Sequence, residues 1–411
     1  MQARACRFCG TDLEHTFADL GMSPFANSNL EPAQLNQMER FYPLHAFVCH
    51  KCFLVQVEEF EAPAEIFSEY AYLSSYSDSW VQHAKRYVGM ITERLGLGRK
   101  SQVVEIASND GYLLQFFVAK GIPALGIEPA ANIAAIAERK DVRTLVKFFG
   151  TETATGLSQE GMRADLIIGN NVLAHVPGLN DFVEGLRILL GAQGVVTMEF
   201  PHLLRLMDEH QFDTIYHEHF SYFSLLTVSQ VFASHGLTIF DVEELPTHGG
   251  SLRIYARHAK DETKPVGSRV TDLLRREKTK GLDTLATYQS VAKTVTASKR
   301  ELLRFLIDIK NDGKSIVGYG APAKGNTLLN YCGIRGDFLD YVVDRSPYKQ
   351  GRFLPGTHIP IHHPDKIAET RPDYLLLLPW NLRDEIMAQM AFVRDWGCRF
   401  ITPFPTVRVY P

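Results

Sequence analysis

Long hydrophobic runs are missing from this chain of 411 residues. No stretch approaches eighteen apolar positions, so no membrane helix is expected. Blocks of basic charge are missing too. The net charge is −4, which argues against nucleic acid or an anionic membrane as the partner. The opening residues, MQARACRFCG, hold no apolar segment of the secretory-signal kind, and a cytoplasmic location is the expectation. Neither a tandem repeat nor a low-complexity tract is present. Cysteine is scarce, with six in all, and Cys332 and Cys398 stand alone as buried, reduced thiols.

The other four cysteines are grouped. Cys6-x-x-Cys9 and Cys49-x-x-Cys52 can present four thiolates to one tetrahedral ion. Four sulfurs leave no open coordination position, so the expected site is a structural zinc. The competing reading, a redox pair, wants a C-x-x-C that opens a helix after a strand, and neither pair does so.

From residue 102 the chain alternates apolar strands with amphipathic helices: VVEIAS, DGYLLQFFVAKG, PALGIEP, AANIAAIAERK, ADLIIGNNVLAHV, DFVEGLRILLGAQG and GVVTMEFP. Such alternation predicts an α/β fold with a parallel sheet. A helix with Trp80, Ala84, Val88 and Ile91 at helical spacing precedes it. Residues 261–312 are charged and helical, and 313–411 start a second, smaller α/β pattern.

The first strand–helix turn lacks the G-x-G-x-x-G of dinucleotide sites. Only Gly111 remains, with Ala107, Ser108, Asn109 and Asp110 filling the turn. That is a poor cradle for pyrophosphate. Glu105 within the strand and Glu128 at the end of the next suit a cationic ligand with ribose hydroxyls, S-adenosylmethionine rather than NAD. Asn170, Asn171 and His175 leave the third strand at the same carboxyl edge, so these residues should line one crevice. The alternative is that the acids merely cap helices.

Residues 215–224 read IYHEHFSYFS and crowd Tyr216, His217, Glu218, His219 and Tyr222 together. Histidines at i and i+2 do not share a helical face, and no third metal ligand is apparent. A buried polar seam and a general-base cluster both fit. In the second, one histidine removes a carbon-bound proton, tyrosine hydroxyls hold a carbonyl oxygen, and Glu218 fixes the base's tautomer.

The cysteine pairs, YAYLSSYSDSW, EIASNDGYLL, GIEP, NNVLAHV, YHEHFSYFS, HGGSLRIY and GYGAPAKGNTLLN occur in this order in the sugar C-methyltransferases of deoxysugar biosynthesis, and the chain resembles that family along essentially its whole length. The resemblance implies a zinc-binding domain (1–80), a Rossmann-like S-adenosylmethionine domain (81–260), a helical connector (261–312) and a C-terminal Rossmann-like domain (313–411). It implies methylation at carbon 3 of a TDP- or GDP-linked 4-keto-6-deoxy sugar, with inversion; the sequence does not constrain oligomeric state, and a monomer is the default expectation. His219 would be the base, with Tyr216, Glu218 and His175 around the sugar. A tyrosine among Tyr70, Tyr72 and Tyr76 would reach the sugar, Tyr70 and Tyr76 being the first choices. In the C-terminal domain, Gly318, Gly320 and Gly325 with Asp344 suggest an NAD turn, but the family instead implies that Lys324 and Asn326 meet the substrate's phosphates. O- or N-methylation of a sugar, and a non-enzymatic nucleotide-binding module, are the alternatives.

Overall fold

The structure, a computed structural model, describes residues 4–62 and 73–411. Three sheets organise it. Near the N-terminus, β1 (His15–Ser23), β2 (Tyr42–Val48) and β3 (Val55–Val57) pair antiparallel in sequence order. The helix Asp78–Leu95 follows. Ser77 caps it by accepting from the Trp80 N–H at 3.3 Å, and Gly96, at φ 63°, closes it in the left-handed conformation. Ala84, Tyr87, Val88 and Ile91 form its buried stripe, while Trp80 is only partly buried at its edge.

β4 (Val103–Ile106), β5 (Ala124–Ile127), β6 (Thr144–Leu145), β7 (Ala164–Asn170) and β8 (Leu190–Pro201) form the parallel part of the central sheet. All four residues of β4 are buried, as strands covered on both faces require. β9 (Ser221–Tyr222) leaves this sheet and pairs with β3, Tyr222 opposite Val55. The chain returns through β10 (Leu237–Leu245) and β11 (Ser251–His258). The link between them is too short for a helical crossover, so they pair antiparallel, and β11 slots between β10 and β8. The order is β6-β5-β4-β7-β8-β11-β10, so the parallel sheet that the alternation predicted is extended at one edge by a hairpin.

The charged stretch 261–312 folds as two helices, Ser268–Thr279 and Leu285–Asn311, with Gly281 between them at φ 80°. The longer one buries Tyr288, Val291, Val295, Leu302, Leu306 and Ile309 in a core shared by the first sheet and the C-terminal domain. That domain contains β12 (Ile316–Tyr319), β13 (Val342–Val343), β14 (Ile361–His362), β15 (Tyr374–Leu377), β16 (Arg399–Thr402) and β17 (Arg408–Tyr410). Its order, β14-β13-β12-β15-β16-β17, is parallel until the last antiparallel pair, a Rossmann-like half. Among the described residues, no helix is long and apolar enough to cross a membrane.

Candidate active site

The four grouped cysteines meet at one point. Their sulfurs lie within 4.8 Å of one another, with Cys6–Cys52 at 3.6 Å, Cys9–Cys49 at 3.5 Å and Cys9–Cys52 at 3.7 Å. Metal–sulfur bonds of about 2.3 Å in a tetrahedron give sulfur–sulfur edges of about 3.8 Å, so the thiols fit a zinc ion. Each knuckle closes by a backbone bond from the fourth residue on, Gly10 N–H to Cys6 O and Phe53 N–H to Cys49 O, and both of those residues have positive φ. Gln56 donates to Cys6 Sγ at 3.2 Å, steadying a thiolate from outside the coordination shell.

The donor turn after β4 is held in place of glycines by side-chain and backbone ties. Ala107 (φ 54°), Asn109 (φ 49°) and Gly111 (φ 74°) are left-handed, and for the first two this stores about 1–3 kcal/mol each. The Asn109 N–H donates to Glu128 Oε2 and the Ala130 N–H to Oε1, both at 3.0 Å. Asn109 Oδ1 accepts from the Ser74 N–H at 2.9 Å. Gly111 cannot gain a side chain freely, because a Cβ would sit 3.1 Å from Val142 Cγ2. Glu105 is buried, and its carboxylate oxygens lack a hydrogen-bond partner among the described residues. Burial and the nearby Asp110 raise its pKa well above the usual range. A cationic ligand group would relieve both problems. Asn170, at the end of β7, donates to the Tyr112 hydroxyl at 3.5 Å. Asn171, left-handed at φ 54°, places Nδ2 2.9 Å from His248 Nε2.

The two histidines of the 215–224 stretch go to opposite sides. His217 enters an aromatic cage in the N-terminal domain, its ring 5.0 Å from Phe25, 5.9 Å from Phe60 and 6.1 Å from Tyr42. Its Nε2 lies 3.2 Å from Pro43 O, and burial lowers its pKa to about 4. His219 turns toward the central sheet. Its Nδ1 is 3.0 Å from the Thr214 carbonyl, which can only accept, so Nδ1 carries the proton and Nε2 holds the lone pair. The Tyr216 hydroxyl meets that lone pair at 2.6 Å. Burial holds the His219 pKa well below the ordinary value, so the ring is neutral. The His175 ring is 4.7 Å away and is likewise kept neutral by burial, its pKa near 4.

Glu218 does not orient this base. Its Oε1 accepts from Asn27 Nδ2 at 3.2 Å, and the backbone of Thr214 does the orienting. Tyr76 is half exposed, with its ring 6.3 Å from Tyr348 of the C-terminal domain. Tyr70 and Tyr72 lie outside the described residues.

His248 and the buried Glu199 escaped the sequence reading, whereas Lys324, Asn326 and Asp344 had been singled out there. His248 is left-handed (φ 54°), 5.1 Å from the Trp80 ring, and its pKa falls to about 4 through burial. The HGGSLRIY motif was its signal, though spacing gave it no role. Glu199, fully buried, accepts from Thr247 Oγ1 at 2.8 Å and Arg253 Nη2 at 2.7 Å, with His83 Nε2 at 3.0 Å. Burial alone would raise its pKa, but His83 and Arg253 hold it at about 2. Lys324 lies 4.7 Å from the Trp380 ring centroid and donates to Asn381 Oδ1 at 2.9 Å. Burial lowers its pKa, opposed by Asp213. Asn326 is buried on the same helix, accepting from Asn330 Nδ2 at 3.2 Å. Asp344 accepts from the Ala321 N–H at 2.8 Å, within the glycine turn itself.

A parallel sheet in this order, with an antiparallel strand slotted beside its last member and a ligand turn after its first strand, is the Rossmann-like fold of the S-adenosylmethionine-dependent methyltransferases. Family models match three consecutive segments: a zinc-binding domain at residues 6–67, a methyltransferase domain at 80–242 and a C-methyltransferase C-terminal domain at 246–405. The chain is 36% identical over 409 residues to the C-methyltransferase NovU of Streptomyces niveus, covering 98% of this chain and 96% of that one. The protein therefore belongs to the C-methyltransferase family: it is a methyltransferase with a zinc-binding N-terminal domain. Among solved structures, the PH0226 protein of Pyrococcus horikoshii OT3 aligns at TM-score 0.38 and 15% identity, over 48% of this chain and 99% of that one. A methyltransferase of Clostridium acetobutylicum aligns at 0.35 and 9%, over 43% and 92%. Neither likeness reaches the level at which residues correspond.

Proposed function

We propose that the protein transfers a methyl group to carbon 3 of a nucleotide-linked 4-keto-6-deoxy sugar, with His219 as the base. The observation that carries this reading is the His219 ring: buried, neutral, and with its lone pair fixed on Nε2 by the Thr214 carbonyl. A neutral imidazole with a fixed lone pair is what removal of a weakly acidic carbon-bound proton needs. The Tyr216 hydroxyl marks the point at which the substrate's hydrogen would be met.

S-adenosylmethionine, when bound, supplies an electrophilic methyl on a sulfonium. The chain's own residues do the rest. Glu105, Ala107, Asn109, Gly111, Glu128, Asn170 and Asn171 cluster at the carboxyl ends of β4, β5 and β7 and would hold that donor. The sugar's keto group acidifies the hydrogen on carbon 3. His219 Nε2 takes that proton as the carbon–hydrogen bond breaks, and the electron pair moves into an enolate. Tyr216 and the neutral His175, whose rings lie 3.9 Å and 4.7 Å from that of His219, would hold its oxygen. Bound S-adenosylmethionine would supply the methyl to the enolate carbon on the face opposite His219, which would invert carbon 3. Lys324 and Asn326 would meet the diphosphate, and Tyr76 the sugar from the N-terminal side.

The test is incubation with S-adenosylmethionine and TDP- or GDP-linked 4-keto-6-deoxy sugars deuterated at carbon 3, read by mass. The expected product gains one methyl and loses the deuterium. Methyl gain with the deuterium retained assigns the methyl to oxygen or nitrogen and overturns the carbon-3 reading.

A further inference from the structure

Three parts of the fold meet at Trp380. The indole follows β15 in the one-turn helix Trp380–Leu382 of the C-terminal domain. Its Nε1–H donates to Asp213 Oδ2 at 2.7 Å. Asp213 belongs to the one-turn helix Phe212–Thr214, and the last carbonyl of that turn is the acceptor for His219 Nδ1–H. Aromatic contacts hold the same turn against the C-terminal domain: Phe212 meets Phe404 at 5.2 Å and Tyr331 at 5.3 Å, and Trp380 meets Phe404 at 5.7 Å. On another side, a Cβ at Gly249 would fall 2.5 Å from Trp380 Cη2, so the backbone next to His248 lies directly against the indole. One side chain thus touches the segments that carry both His219 and His248.

The bond from Trp380 to Asp213 is sheltered. Asp213 is fully buried, and its other oxygen has no hydrogen-bond partner among the described residues. A buried carboxylate with one strong donor cannot exchange that donor for water, so losing it would leave an uncompensated polar group and let the turn shift. The aromatic packing fixes where the turn lies, and the Trp380 bond adds a directional tie from the C-terminal domain to the turn's own bonds, in which the Thr214 N–H and Oγ1 donate to Gln211 O. Rotation of the turn is what sets the direction of the Thr214 carbonyl.

We propose that Trp380 is a positioning residue for the reaction: through its bond to Asp213 it holds the turn whose Thr214 carbonyl orients His219, so the C-terminal domain sets the geometry of the base. The proposal rests on His219 acting as that base. Trp380→Phe keeps the aromatic packing and removes the N–H. The expected result is a kcat about thirtyfold lower, since small misplacements at a reacting centre cost this much or more. The sugar KM should stay within about threefold, because Lys324 itself is kept and a phenylalanine ring can still lie beneath it. Asp213→Asn keeps an acceptor for the indole and should retain near-normal turnover. In protein labelled with ¹⁵N-histidine, Trp380→Phe should move the His219 signals away from the pure Nδ1–H tautomer, while zinc content stays unchanged.

Wild-type kcat and an unmoved His219 signal in Trp380→Phe overturn the proposal. So does a loss of turnover with the His219 signal unmoved, which marks a merely structural role. Should Phe at 380 prevent folding, Asp213→Leu keeps the volume, removes the same bond from the other side and must give the same two changes. His219→Gln with full turnover would remove the base reading instead, and the tautomer measurement would still judge the tie between Trp380 and His219.

Discussion

Removing the zinc should disable catalysis without disabling donor binding. The knuckle carrying Cys49 and Cys52 leads directly into β3, and β3 pairs with β9 inside the 215–224 stretch, Val55 opposite Tyr222 and Gln56 opposite Ser221. Thr227 Oγ1 donates to Cys52 O at 3.2 Å, and Arg7, between the other two cysteines, donates to Val57 O at 2.5 Å. Structural zinc contributes about 10–16 kcal/mol in small domains. Whole-protein stability is about 5–15 kcal/mol. The N-terminal sheet therefore cannot keep its form once the metal is gone, and β9 loses its neighbour. His219 sits two residues before β9, so a displacement of about 1 Å there should cost at least about a hundredfold in turnover. The donor turn is tied through Glu128, Ser74 and Lys140, none of them in the knuckles, so S-adenosylmethionine affinity should stay within about threefold, under about 0.7 kcal/mol. The assay compares Cys49→Ser and chelator-treated protein with the intact enzyme, using metal analysis, methyl-transfer rates and donor calorimetry. Zinc-free protein with undiminished turnover would refute the reasoning.

His219→Gln should lower turnover by about 10²–10⁴, the usual share of a general base, whereas His217→Phe, in its cage of Phe25, Tyr42 and Phe60, should leave turnover close to normal. His217 also makes stability depend on pH. Its folded pKa near 4 lies below its unfolded value of about 6.5, so the unfolded chain binds the proton first. The stability contribution is whole above pH 6.5 and is lost as pH falls toward 4, by roughly 3 kcal/mol at about 1.4 kcal/mol per unit. Denaturant titrations of His217→Phe across that range should show a visibly flatter acid limb, and an unchanged limb would remove His217 as its source. Gly126→Ala would put a Cβ 2.3 Å from Ser108 Oγ in the donor turn, so calorimetry should show donor affinity about tenfold weaker with a normal far-ultraviolet spectrum.

Much of this molecule was legible in its sequence, for local reasons. The C-x-x-C knuckles state their own geometry, and strand–helix alternation states a parallel sheet. The glycine-poor turn at Ala107–Gly111, with Glu105 and Glu128, pointed to S-adenosylmethionine, in keeping with the methyltransferase family. What was not legible depends on contacts distant along the chain. Spacing could not send His217 and His219 apart, because a cage built from residues 25, 42 and 60 decides the matter. Glu218 looked like the partner of its neighbour, yet a residue 191 positions away claims it. Trp380 could be set against Asp213 and Gly249 only once the C-terminal domain had been packed.

The pairing of β3 with β9 also bears on how such enzymes can be rebuilt. The matched segments 6–67, 80–242 and 246–405 look like three interchangeable cassettes. They are not, because the first sheet borrows its last strand, β9, from near the end of the second segment. A chimera joined at residue 80 would set a foreign β3 against this β9, and a central segment expressed alone would present β9 as an open, sticky edge. Grafts that exchange the zinc-binding part for another should therefore carry residues 215–224 with it, as one unit in two pieces.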